Sequence, residues 1–404
     1  IRHVIFRSAT CFKNSTQYDM EIRDFSSENV SETLVVRAGE VGSLPIMFSA
    51  GGAFEVRPVG LDQYLWSTEK FELHGLLHPA AKSKHVVKRA LCPATDRSST
   101  PFCLCLHGMP EIPEEVVYGS ATLARSAAHK RSQSSLDKFY ALGTITIAAP
   151  IELENLLPYD FKYRIYDRDG RYDFSGALKQ GEMSPIHGVD SSHVIGISVE
   201  IDSKHLKTKQ IALISSGTSY DHDDRIELSD AKGKPCSLSI DVDALNRFGT
   251  RRVRIYSPYV IINQTGLPLA IKSTVIVAGI EQEIAAYTSE ADQCPLLFNY
   301  SDSSLLPGKN RIKIKASSGA REWGKPLSLD AIGSVINFEL PYEQSWLNLS
   351  LHVRLGSERF SRCHVVTIAP RFWIQNRLGD GVRFWLRTKD EHVLEVADGA
   401  KIGR

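Results

Sequence analysis

No stretch of this sequence comes near the roughly 20 consecutive apolar residues that a membrane-spanning helix requires, so no such span can be drawn in it. An excess of charge of one sign is also missing. There are 48 Lys and Arg against 47 Asp and Glu, a formal net charge of +1. A chain so balanced has no global field with which to draw in nucleic acid or an anionic membrane. Cysteine is sparse and shows no pairing pattern. The seven (Cys11, Cys92, Cys103, Cys105, Cys236, Cys294 and Cys363) are an odd number at irregular spacing, without a repeated CxxC or a Cys/His zinc spacing. We read them as free thiols of a reducing compartment. A long amphipathic helix is lacking too. The best candidate, Ser120 to Asp137, has little apolar face and reads as an exposed insertion of low complexity.

What is present is alternation. Ile312-Lys313-Ile314-Lys315, Leu349-Ser350-Leu351-His352-Val353 and Leu238-Ser239-Ile240-Asp241-Val242 put apolar residues on one face and polar residues on the other. That is the mark of antiparallel strands half buried against a core. Turn chemistry separates them: Asp169-Gly170, Lys232-Gly233-Lys234, Gly266, Pro307-Gly308 and Gly379-Asp380-Gly381. With 42% hydrophobic and 24% charged residues over 404 positions, the chain has the means to fold and to build several cores.

The sequence also repeats itself. Four segments align on an asparagine: Ala9 to Asn14, Pro150-Ile-Glu-Leu-Glu-Asn155, Pro258-Tyr-Val-Ile-Ile-Asn263 and Pro370-Arg-Phe-Trp-Ile-Gln-Asn376. Six and eight residues past each asparagine stand Met20 and Ile22, Phe161 and Tyr163, Leu269 and Ile271, Val382 and Phe384, all apolar. Upstream, Phe102 to His107, Cys236 to Asp241 and Leu347 to His352 match one another. Thr144 to Ile147, Arg252 to Ile255 and Val365 to Ile368 then run straight into the asparagine segments. Trp66-Ser67 and Trp323-Gly324 form a further pair, offset by one. A period of about 110 residues suits one β-sandwich per repeat. The expected fold is therefore all-β: a tandem array of antiparallel β-sandwich repeats with stiff junctions, forming a rod or arc. Its divisions are 1–143 with a low-complexity insertion near 108–138, 144–250, 251–362, and 363–404 as the start of a truncated repeat. The chain opens at Ile1, within what reads as a strand, and we read it as a piece of something larger.

An asparagine suits the end of a strand because its side chain carries an acceptor and two donors and can imitate a peptide group. Asn14, Asn155, Asn263 and Asn376 are expected to lock the turns that follow them, and to orient any binding loop beside those turns. Other candidates carry less. Asp221-His222-Asp223-Asp224 has ligand chemistry, yet sits in a polar stretch that reads as a solvated loop. Asp167-Arg168-Asp169-Gly170 opens like a calcium loop but lacks the later ligands and reads as a hairpin turn. Cys363 and His364 are neighbours in a strand and so point to opposite faces. Ser215 to Ser219 contains Gly217 but no following GK[ST], and His129-Lys130-Arg131 reads as a solvated loop. The sequons at Asn14, Asn29, Asn263, Asn299 and Asn348 are read as chance. No catalytic residue, metal or cofactor is assigned.

At the repeat junctions, Pro150 to Tyr159, Ser257 to Leu267, Trp323 to Gly333 and Val366 to Phe372 resemble one known family. It is the adaptor-binding domain of the vacuolar protein sorting-associated protein thirteen family, very large bridge-like lipid-transfer proteins of membrane contact sites. The resemblance spans essentially the whole chain and is weakest in the insertion before Leu136. It implies six all-β repeats, each with a characteristic asparagine, here Asn14, Asn155, Asn263 and Asn376. It also implies recognition of proline-any-proline motifs on organelle adaptor proteins, with the lipid groove elsewhere in the parent protein. Three full repeats and a start would be present here, with others beyond Arg404. The partners so implied are adaptor proteins and, indirectly, membranes; nucleic acid is not among them. The competing readings are a direct membrane- or phosphoinositide-binding β-module, and a secreted adhesion or glycan-processing protein.

Overall fold

The computed structural model describes residues 10–24, 33–44, 52–61, 63–77, 86–96, 100–110, 143–167, 173–190, 194–214, 224–243, 249–277, 280–289, 294–300, 310–318, 322–343, 345–375, 384–387, 393–396 and 401–403. The protein is all-β. Among the described residues, helix is confined to Leu73–Leu77 and two short 3-10 turns, Asp202–Lys204 and Glu358–Phe360. The insertion expected near 108–138 falls outside them, except that residues 108–110 complete the strand Phe102–Pro110.

One strand arrangement occurs three times. The asparagine strands Thr10–Asn14, Ile151–Asn155 and Tyr259–Asn263 each have a short antiparallel neighbour on one side. These neighbours are Val41–Ser43, Met183–Ile186 and Leu296–Phe298. On the other side a return strand runs parallel: Gly143–Ala148, Arg251–Tyr256 or His364–Pro370. The register is the same each time, with Asn14 opposite Ile147, Asn155 opposite Ile255 and Asn263 opposite Ile368. Antiparallel pairing predominates elsewhere. Parallel neighbours need a long crossover, and here the crossover is the rest of the unit, including its second sheet. Beyond the return strands lie Phe102–Pro110, Pro235–Asp243 and Ser345–Leu355, then Val86–Cys92, Arg225–Ser229 and Val335–Tyr342.

The second sheets begin at the apolar pairs past each asparagine, in Met20–Asp24, Phe161–Asp167 and Leu269–Val277. Met20, Ile22, Phe161, Tyr163, Leu269 and Ile271 are all buried, and each faces its own unit's first sheet. Three cores result. Phe12, Ile22, Phe54 and Ile147 belong to the first; Leu153, Phe161, Ile197 and Ile255 to the second; Ile261, Ile271, Ile314 and Ile368 to the third. Gly108 lets the short helix close the first core, because a Cβ there would lie 2.0 Å from the Leu76 carbonyl oxygen. The second unit differs in one respect. Its strand Leu206–Thr208 pairs with both Ile195–Ile201 and Arg225–Ser229, so its two sheets merge into one of ten strands.

Only two residues separate each return strand from the asparagine strand that follows: Ala149-Pro150 and Ser257-Pro258. Across the first junction the Cys103 amide donates to the His187 carbonyl at 2.8 Å, and His187 Nδ1 donates to the Cys103 carbonyl at 3.0 Å. Across the second, Asn299 Nδ2 donates to Ser239 Oγ at 3.5 Å and the Tyr159 hydroxyl donates to the Pro295 carbonyl. His187 and Asn299 are each the first residue after the short neighbour strand, and each reaches back to the preceding unit. Arg359 and Arg362 add to the second junction, the first donating to the Gly181 carbonyl at 2.6 Å and the second lying 3.0 Å from Asp241.

Candidate functional site

The asparagine turns are the feature most fully built from side chains. Asn14 is fully buried. Its Nδ2 donates to the carbonyls of Tyr18 at 2.7 Å and Val36 at 2.9 Å, while its Oδ1 accepts from the Thr16 amide at 3.0 Å and the Thr16 hydroxyl at 2.7 Å. Asn155 repeats the pattern. Its Nδ2 faces the carbonyls of Tyr159, Leu178 and Lys179 at 2.9, 3.2 and 3.0 Å, and its Oδ1 accepts from the Leu157 amide at 2.9 Å. Asn263 Nδ2 donates to the Leu267 carbonyl at 2.7 Å, and its Oδ1 accepts from the Thr265 amide and hydroxyl at 3.1 and 2.7 Å. In each case the amide bonds the carbonyl four residues on and the oxygen bonds the N–H two residues on. A strand that ends inside a core leaves backbone groups without water, and this side chain supplies their partners. Asn376 lies outside the described residues.

Thr16 and Thr265 add a hydroxyl that bridges the asparagine oxygen and the next turn's backbone. The second unit has Leu157 there, buried in the core, and spends the position on packing instead. Because Nδ2 of Asn14 and of Asn263 is engaged and buried, the folded chain offers no acceptor for a glycan at either sequon.

Two tryptophans hold equivalent seats above the second sheets. Trp66 lies under the guanidinium groups of Arg23 and Arg57, at 4.3 and 4.4 Å from its ring. Trp323 lies under the ammonium groups of Lys272 and Lys315, at 4.6 and 5.1 Å. Arg23 and Lys272 both stand nine residues past their asparagine. The offset Trp-Ser/Trp-Gly similarity hinted at this correspondence. The cations come from strands distant in sequence, and nothing local signals them.

The other candidates disperse. Burial pushes the Cys363 thiol up to about 12. That removes the thiolate a nucleophile needs. His364 turns away to the Pro258 carbonyl at 3.3 Å and stacks on Tyr259. Cys92 and Cys236 are likewise raised to about 12 by burial. Asp167 ends a strand whose hairpin partner begins at Asp173, and 168–172 lie outside the described residues. So do Asp221, His222 and Asp223, Ser215 to Ser219, and His129 to Arg131. Among the described residues, no group of three His, Cys, Asp or Glu is placed to hold a metal ion. No helix there is long and apolar enough to cross a membrane.

Residues 1–402 match the family model "Vacuolar-sorting associated protein 13, adaptor binding domain". The chain belongs to this family. It is 27% identical over 409 residues to the intermembrane lipid transfer protein VPS13 of Chaetomium thermophilum, covering 96% of this chain and 12% of that protein. It is 27% identical over 286 residues to the intermembrane lipid transfer protein tipC of Dictyostelium discoideum, covering 57% of this chain and 7% of tipC. Human VPS13D, also an intermembrane lipid transfer protein, is 23% identical over 398 residues, which is 94% of this chain and 8% of VPS13D. The adaptor-binding chain thus spans a small fraction of the relatives it matches, each named for moving lipid between membranes.

Proposed function

We propose that this chain is the docking segment of a much larger lipid-transfer protein, capturing short proline-any-proline motifs of organelle adaptor proteins. It would hold its parent peripherally at the cytosolic face of organelle membranes, at contact sites, without catalysis, cofactor or metal. The observation that carries this reading is the family match over 1–402. Open sheet edges support the binding mode, because an extended, proline-rich segment loses little entropy when it is added as a strand. Asn14, Asn155, Asn263 and Asn376 serve the site indirectly, as locks that fix the surface on which the motif is read. We further propose three complete units and the start of a fourth. Each return strand pairs with the asparagine strand that opens the same unit. The boundaries are therefore best drawn near 149, 257 and 371, after those strands rather than before them.

Calorimetric titration with an adaptor peptide tests the reading. Binding is expected with the Pro-any-Pro peptide and is lost when both prolines become alanine. Unchanged binding sinks it. In vesicle flotation, strong salt-sensitive binding to anionic lipid without adaptor would move the assignment to a direct membrane module.

A further inference from the structure

We infer that the second unit offers a seat for an aromatic side chain of a partner protein, over the outer face of its second sheet; the inference goes beyond the adaptor-binding reading and does not depend on it. The first and third units fill the equivalent seat from within. Trp66 lies there beneath Arg23 and Arg57, and Trp323 beneath Lys272 and Lys315. The second unit has no tryptophan of its own.

Backbone bonding fixes the correspondence. The Ser67 amide donates to the Val56 carbonyl at 3.0 Å and the Gly324 amide to the Ile314 carbonyl at 2.9 Å. Thr208 meets Val199 at the same place through its hydroxyl, which donates to the carbonyl at 2.8 Å and accepts from the amide at 2.7 Å. One residue on, the Thr68 amide donates to the Leu91 carbonyl and the Lys209 amide to the Glu227 carbonyl. Lys207, which precedes Thr208, therefore stands where the other units place tryptophan. Glu200 follows Val199 as Arg57 follows Val56 and Lys315 follows Ile314. Lys207 turns to Glu200 at 2.7 Å, in an exposed pair. Arg164, nine residues past Asn155, keeps the position of Arg23 and Lys272.

This exchange leaves a groove of about 450 Å³ whose lining includes Arg164, Tyr166, Ser175, Ser198, Lys209 and Ile211. That volume is in the range of sites that hold a ligand. The floor is low because Ser198 stands opposite Arg164, where the first unit has Glu55 opposite Arg23. Gly196 leaves room for the apolar wall, since a Cβ there would lie 2.6 Å from Ile211 Cγ2. Ile211 is 43% exposed. A guanidinium attracts the face of a ring, and one that is bonded elsewhere still does so. Arg23 covers Trp66 while it holds Glu55 at 2.5 Å. An anion is the poorer occupant. Glu200 and Asp202 already hold Lys207 and Lys162, at 2.7 and 2.6 Å; a phosphate would compete with these carboxylates, whereas a neutral ring does not.

The test uses an array of short peptides of varied sequence, each made with Trp, Tyr, Leu or Asp at its centre, probed with the whole chain. Retained peptides are expected to be those with Trp or Tyr. Arg164→Gln should bind them about tenfold more weakly. Lys207→Trp, alone or with Glu200→Arg, rebuilds the seat of the first unit and should abolish their binding, with the melting curve unchanged. The Pro-any-Pro peptide should bind all these variants as it binds the parent chain. Retention without preference for aromatic centres, or aromatic peptides held equally by Arg164→Gln, overturns the inference. So does aromatic binding that survives in a folded Lys207→Trp chain. Preference for Asp centres overturns it in favour of an anion site. Loss of the Pro-any-Pro peptide together with the aromatic ones overturns the separate seat and leaves the adaptor reading standing.

Discussion

The His187 ring lies flat against the Phe102 ring, 4.2 Å between centroids and 9° between planes, and so joins the first unit to the second. Tyr18 closes the cluster edge-on at 5.8 Å from His187. The imidazole's Nδ1 donates to the Cys103 carbonyl, and among the described residues its buried Nε2 has no partner.

That enclosure makes the junction sensitive to acid. Burial pulls the imidazole down from 6.5 to about 4, against a smaller upward pull from the Cys103 carbonyl. The unfolded chain therefore takes up the proton first. The stability tied to neutral His187 is whole above pH 6.5 and is lost as pH falls towards 4, by about 3 kcal/mol. Melting temperatures recorded across that window should fall more steeply for the wild type than for His187→Gln. Parallel curves would refute the assignment.

Asn155→Asp is expected to cost at least as much as Asn155→Ala, although it changes the shape hardly at all. The amide faces the carbonyl oxygens of Tyr159, Leu178 and Lys179, and a carboxylate there would set oxygen against oxygen. Urea denaturation should show losses of about 3 kcal/mol for Ala and no less for Asp. If Asp were tolerated, the nitrogen would not be the bonding partner.

Thr265→Val removes a hydroxyl that bonds the Asn263 oxygen at 2.7 Å, and should destabilise by about 1 kcal/mol. The second unit does without that hydroxyl because Leu157 packs into its core. Leu157→Thr should therefore also destabilise. Losses at both positions would show that each turn is fitted to its own residue, whereas opposite signs would show that one residue serves better in either unit and refute this account.

The thiols should divide cleanly. Cys11 and Cys294 are half-buried, whereas Cys92, Cys103, Cys105, Cys236 and Cys363 are buried. Burial raises Cys105 to about 11. Titration with a thiol reagent near neutral pH should give two early reactions, the other five waiting for denaturant. An early third would mark a unit that opens readily.

Much of this fold was readable because its repeats restate the same local chemistry. The asparagine, the turn after it and the apolar pair at six and eight residues all lie within one short window. Met20, Phe161 and Leu269 accordingly fall where alternation puts them. The return strands were visible as alternating runs, but their parallel pairing was not, since pattern fixes a face and not a neighbour. The strand Leu206–Thr208 was missed because three residues with one half-buried leucine carry no period.

The brevity of the links between units has a mechanical meaning. From Ala148 to Ile151, or from Tyr256 to Tyr259, the backbone can reach only roughly 10 Å when stretched. Neighbours therefore cannot separate without unzipping a strand from a sheet. Tension applied at one end passes into the β-ladders instead of being absorbed by slack.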